Sequence, residues 1–131
     1  MYILNIQKMV YRISINPVAK PRMTRSDKWR ERTCTSKFWG FKDELILKCN
    51  TAGLRTLPGR IESIDFYIEM PKSWSEKKRK KMDGKPHQVK PDIDNILKSV
   101  QDCLCKKDQH IHHIGRLSKS WAYEGKIEIE I

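Results

Sequence analysis

The chain has 131 residues, 38% apolar and 33% charged, and its 27 Lys and Arg against 16 Asp and Glu give a net charge of +11. That length suits a single domain, 1–131, able to bury its own core. The charge calls for a polyanionic partner, nucleic acid ahead of an anionic membrane. No apolar run approaches the ~18 residues of a membrane span. The first ten residues hold no apolar signal core with a cleavage site, so a cytoplasmic protein without a disulfide scaffold is expected.

In chain order, Val10 to Ile15 alternates apolar and polar side chains, which predicts a strand. Pro17 and Pro21 break it, and Lys20 to Arg32 is a polar, basic loop. Phe38, Phe41, Leu45 and Ile46 fall at helical spacing and predict a helix from Phe38 to Cys49, ended by Ala52-Gly53. A second strand begins at Gly59, with Ile61, Ile64, Phe66 and Ile68 as its apolar positions, and Pro71 stops it. Ser73 or Ser75 caps a short helix through Lys81 with almost no apolar stripe, and Lys72 to Lys90 is expected to be mobile without a ligand. The clearest element follows. Ile93, Ile96, Leu97, Val100 and Leu104 make one apolar helix face, and Asp92 after Pro91 is a good N-cap, its carboxylate suited to the free amides of the first turn. Asp108 to Ser118 and Gly125 to Ile131 read as two further strands. The order implies an α+β domain, with helices packed on one small mixed sheet.

The charge is clustered. Tyr11 to Lys42 holds nine basic and two acidic residues, and Lys72 to Lys90 holds eight and two, so the rest of the chain is slightly acidic. Both clusters carry aromatics: Trp29, Phe38 and Trp39 in the first, Trp74 in the second. Cations neutralise phosphates and interleaved rings stack on exposed bases. Lys20, Arg22, Arg25, Lys77, Lys78, Arg79 and Lys80 are the expected DNA contacts.

Amid this basic surface stand acids. Asp94, Lys98 and Asp102 lie four apart on the polar face of the Asp92-capped helix. Carboxylates this close repel unless a cation sits between them. A hard divalent ion such as Mg²⁺, with Mn²⁺ as a substitute, takes oxygen ligands and phosphate oxygens together. If the strand beginning at Asp108 pairs beside the start of the helix, Asp108 meets Asp92 and Asp94 there. The expectation is that Asp92, Asp94 and Asp108 hold the metal for phosphodiester hydrolysis, with Lys98 facing the scissile phosphate or steadying the attacking water. The structural alternative is a cap for Asp92 and a dipole or i,i+4 partner role for Asp94 beside Lys98.

The string Lys90-Pro-Asp-Ile-Asp-Asn-Ile-Leu-Lys98, then Asp102-Cys-Leu104, then Lys107-Asp-Gln-His-Ile111, resembles the RusA-type Holliday-junction resolvases of bacteria and prophages. That family begins a helix with D-x-D-N-x-x-K, continues with D-x-L, and then opens a strand with D-D-x-[QH]-[IV]. Pro17 to Arg25, Phe66 to Pro71 and Gly125 to Ile129 carry the likeness over nearly the whole chain. The resemblance implies a small homodimeric Mg²⁺-dependent endodeoxyribonuclease that cuts branched DNA, four-way junctions above all, by paired symmetrical nicks in recombination and repair. Its essential carboxylates fall on Asp92, Asp94 and Asp108, and its catalytic lysine on Lys98. The first of the family's paired acids is replaced here by Lys107.

Three other readings use the same residues: a non-catalytic or impaired junction-binding protein on this fold, a zinc-dependent regulator using Cys103, Cys105, His110 and His112, and a basic structural protein of a phage or ribonucleoprotein. Cys34, Cys49, Cys103 and Cys105 form no C-x-x-C pair, which favours reduced thiols over zinc. His110 and His112 are expected on one strand face with Asp108, in structural or DNA-contact roles ahead of metal ligation.

Overall fold

A computed structural model describes residues 9–22 and 33–131, apart from the side chains of Cys34 and Asp108. Strand β1 (Val10–Ile13) is shorter than the alternation predicts. Helix α1 (Thr33–Thr51) starts five residues before Phe38. Strand β2 (Arg60–Glu69) ends just before Met70-Pro71, as expected. Helix α2 (Glu76–Met82) is capped by Ser75, whose hydroxyl accepts from the Lys78 amide at 3.2 Å, and none of its residues is buried. Helix α3 (Ile93–Leu104) matches its predicted stripe, burying Ile96, Ser99, Val100 and Leu104. Strands β3 (His113–Ala122) and β4 (Lys126–Glu130) complete the chain.

The strands form one mixed sheet in the order β1-β4-β2-β3. β4 is antiparallel to both β1 and β2, and β3 is parallel to β2, with Arg60 opposite His113 and Glu69 opposite Ala122. A parallel neighbour needs a crossover, and α2 and α3 supply it. The register puts Ile64, Phe66, Ile68, Ile127 and Ile129 in one core with Phe41, Leu45 and Cys49 of α1 and Ile96, Val100 and Leu104 of α3. The alternate positions of the sheet carry polar groups. There Arg116 grips the Asp65 carboxylate through Nη2 at 2.7 Å and Nε at 3.2 Å, and Ser118 donates to it at 2.5 Å. Burial pushes the Asp65 carboxyl up, but the hydrogen bonds from Arg116 and Ser118 outweigh it and hold it below its usual range.

The expected strand from Asp108 to Ser118 needs correction. Asp108–His110 is a single 3-10 turn, closed by the His110 amide on the Lys107 carbonyl at 3.2 Å, and the strand begins only at His113. The sheet edge is reached at Gly59, whose carbonyl accepts from the His112 amide at 2.9 Å. A Cβ on Gly59 would lie 3.0 Å from the His110 carbonyl, so glycine permits this close approach. His110 therefore shares no strand face with Asp108, and His112 precedes the strand.

Lys72 to Lys90, expected to be mobile, is docked on β3. Trp74 packs on Trp121 at 4.8 Å between ring centroids, and His87 packs on the same indole at 4.2 Å. The loop after α2 runs along the outer edge of β3: Gly84 donates to the Trp121 carbonyl, Trp121 to that of Lys85, and His87 to that of Lys119, at 2.9–3.1 Å. Reading the segment by its charge missed that Trp74 and His87 would serve as anchors.

Two outcomes are expected. Phe66→Ala empties a fully buried site and should cost about 3–5 kcal/mol in a urea melt. His87 is buried and lies beside Lys119, so burial first and that charge second press its pKa below the usual value. The native state thus binds fewer protons than the unfolded one below about pH 6.5, and stability falls as pH drops through that window. In melts between about pH 5 and about pH 8, His87→Leu should flatten that slope.

Candidate active site around helix α3

The two ends of α3 are placed by different bonds. At its start, Lys119 Nζ of β3 donates to the carbonyls of Val89 at 2.7 Å and Pro91 at 2.8 Å. At its end, the Leu57 amide and the Thr56 hydroxyl donate to the Leu104 carbonyl at 3.2 and 2.9 Å. The helix therefore runs antiparallel to β2 and β3, starting near the last third of β3 and finishing beside the approach to β2.

Asp92 has N-cap backbone angles (φ −69°, ψ 146°), and its carbonyl accepts from the Ile96 amide at 3.2 Å. Its carboxylate makes no cap hydrogen bond, contrary to the capping role the sequence suggests, and it is exposed. Asp94 is exposed one position into the first turn, and Lys98 is exposed one turn further on. Asp94 and Lys98 form no ion pair with one another or with any other described residue. Asp92 is thus free of a side-chain capping role and Asp94 of a pair with Lys98, while Asp94 keeps the first-turn position that favours an acid.

Residue 108 lies elsewhere. Its 3-10 turn follows the C-terminal end of α3, and twelve helical residues span about 18 Å. Within one chain the backbone of residue 108 thus follows the end of α3 rather than its start, because the strand after it begins at the opposite end of the helix. No group of three or more metal-ligating side chains occurs among the described residues, which exclude the side chain of Asp108.

Residues 19–22 lie along the first turns of α3. The Lys20 amide donates to the Asn95 carbonyl at 3.3 Å, and Lys20 Nζ forms an ion pair with Asp102. Asn95 divides two open pockets. One, of about 420 Å³, is lined by Ala19, Lys90, Pro91, Asp92 and Asn95. The other, of about 370 Å³, is lined by Lys20, Pro21, Arg22, Asn95 and Lys98. A recess carrying the Asp92 carboxylate beside Lys90 therefore adjoins a basic one along the same helix face.

The other expected DNA contacts divide. Lys77 and Lys80 are exposed on α2. Lys78 lies over the Trp74 ring at 4.2 Å, and Arg79 turns back to donate to the Pro71 carbonyl at 3.1 Å. Arg25 falls outside the described residues, as does most of the Lys20–Arg32 loop. The zinc alternative gains no support from the geometry, since among the described residues Cys103, Cys105, His110 and His112 form no group of three or more side chains that could hold a metal.

Sequence reasoning missed Lys119 and the Lys20–Asp102 pair. Lys119 left a trace, being a cation between Leu117 and Trp121 at alternate positions, but only the register reveals that these face inward.

No curated protein matches this chain. The family model described as Endodeoxyribonuclease RusA matches residues 14–131, a span that begins just after β1 and takes in both pockets, α3 and the turn at Asp108. The chain belongs to the RusA family of endodeoxyribonucleases.

Proposed function

We propose that this protein is a Mg²⁺-dependent endonuclease that resolves four-way DNA junctions by paired nicks, acting as a homodimer in the cytoplasm of a bacterial or phage-infected cell. The observation that carries it is the pair of exposed carboxylates, Asp92 and Asp94, uncapped and unpaired beside a basic recess. Oxygen donors only, spaced within one turn, suit a hard divalent ion that keeps several waters and takes phosphate oxygens. Mn²⁺ would fit the same donors.

Separation of residue 108 from residues 92 and 94 supports a two-fold dimer. A two-fold axis across the exposed face of α3 sets two copies of the helix antiparallel. The start of each then meets the end of the other, and Asp108 of one chain completes the carboxylate set of its partner. Two such sites face opposite strands of a junction with approximate two-fold symmetry.

Asp92, Asp94 and the partner's Asp108 would hold the metal, which when bound supplies charge stabilisation at the phosphate and an activated water. Lys98 projects from the same helix face into the basic recess and holds a non-bridging phosphate oxygen or the attacking water in line. Lys20, kept in place by Asp102, and Arg22 seat the neighbouring phosphate. Lys77 and Lys80, more remote, grip the arms. Such contacts read backbone and shape rather than bases.

In a synthetic four-way-junction assay, Mg²⁺ should produce paired nicks, and Asp92→Asn, Asp94→Asn and Asp108→Asn should each lower the rate by about 10³-fold or more. Absence of nicking by the wild type would sink the reading. Mixing Asp92→Asn with Asp108→Asn subunits tests the shared site: a mixed dimer then contains one intact site and should nick one strand, whereas sites built within single chains would leave it inactive. Junction affinity should fall linearly on a log–log salt plot, with Lys77→Ala and Lys80→Ala each reducing the slope by about 1.8, one phosphate contact being lost from each subunit. Lys107→Asp restores the first of the family's paired acids and should lower the Mg²⁺ concentration needed for nicking.

A further inference from the structure

The segment joining α2 to α3 delivers Asp92 to the candidate site, and Lys119 is where it is held. The strand register places Lys119 opposite Phe66, on the inward-facing side of β3 with Leu117 and Trp121. An ammonium in such a position needs oxygen partners. Lys119 finds two, the carbonyls of Val89 at 2.7 Å and Pro91 at 2.8 Å. Its own carbonyl accepts from the His87 amide at 3.1 Å. One residue of the sheet thus contacts the loop at positions 87, 89 and 91, and the last of these is the peptide that leads directly into Asp92.

Nothing else described grips residues 88–91 as closely. The edge pairing of the loop stops with the bridge between Pro86 and Ser120 and the His87 bond. The hydrogen-bonded ladder of α3 begins only with the Ile96 amide on the Asp92 carbonyl. Between these two anchors the backbone direction is set by the Lys119 side chain. Since Asp92 makes no cap bond, the aim of its carboxylate follows from the peptide before it.

We infer that Lys119 is a positioning residue for the Asp92 carboxylate, clamping the Val89–Pro91 peptide so that Asp92 is presented to the metal and the scissile phosphate in one orientation. The inference rests on the nuclease reading for its functional consequence and on the observed bonds for the clamp. Lys119 touches neither substrate nor metal in this role. A pre-set ligand spares the site the entropy of ordering it, and a misplacement near 1 Å costs about a hundredfold in rate.

The experiment compares the full chain with Lys119→Met, which keeps the stem and removes the donors, and Lys119→Arg, which keeps two donors on a fork. Backbone ¹⁵N relaxation is read first. In Lys119→Met the order parameters of residues 88–90 and 92 should drop from about 0.85 to below about 0.6, with β3 and the rest of α3 unchanged. A loop as rigid as in the wild type would overturn the clamp. Single-turnover nicking of a four-way junction is read second. Lys119→Met should slow it tenfold to a hundredfold and raise the Mg²⁺ midpoint severalfold, with junction affinity within twofold, and Lys119→Arg should recover part of the rate. An equal loss of affinity and rate with a lowered melting temperature, unrelieved in Lys119→Arg, would mean a merely structural lysine and overturn the inference. If the wild type itself does not nick, the nuclease reading fails, and the relaxation data alone decide whether Lys119 holds the loop.

Discussion

Parallel pairing of β2 with β3 governs where every reactive group of this protein lies. Because both strands run the same way, the chain leaving the end of β2 must return to its beginning before β3 can start, and α3 makes that return. The helix consequently runs against the strands, with its start near Lys119 and its end near Leu57. Asp92 and Asp94 go to one end of the domain and residue 108 to the other. A single crossover thus sets Asp92 and Asp94 apart from residue 108, the separation on which the proposed two-fold dimer rests.

The same crossover separates burial from chemistry along α3. Its apolar stripe sinks Ile96, Val100 and Leu104 into the core. Burying such side chains stabilises the fold by roughly 1.5–3 kcal/mol each. That burial leaves Asp94 and Lys98 facing outward, and the residues 19–22 lie over the adjoining turns to add Lys20 and Arg22. The recess that carries Asp92 and the basic one then share Asn95 as a wall.

Basic residues here do two different jobs, and charge alone does not distinguish them. Lys119 and Arg79 spend their donors on backbone carbonyls, and Arg116 on Asp65. Lys77, Lys80 and Lys98 keep theirs for solvent or ligand. Counting cations in a segment therefore overstates the number available for DNA, and the docking of Lys72–Lys90 through Trp74 and His87 shows the same thing from the aromatic side.

Local pattern alone was enough to determine the α3 stripe, a short helix capped at Ser73 or Ser75, the alternating faces of β2 and β4 and the D-x-D-N-x-x-K string that carries the family likeness. Each depends on side chains within a few residues of one another, whose spacing dictates which face they share. The 3-10 turn at Asp108 escaped that kind of reasoning because it is imposed by Gly59, some fifty positions away, which receives the chain only at His112. Lys119, the hold of Arg116 and Ser118 on Asp65 and the anchoring of His87 were hidden for the same reason. Their partners are set by which strands lie side by side, a choice made by the burial of the whole core and legible only once the chain has folded.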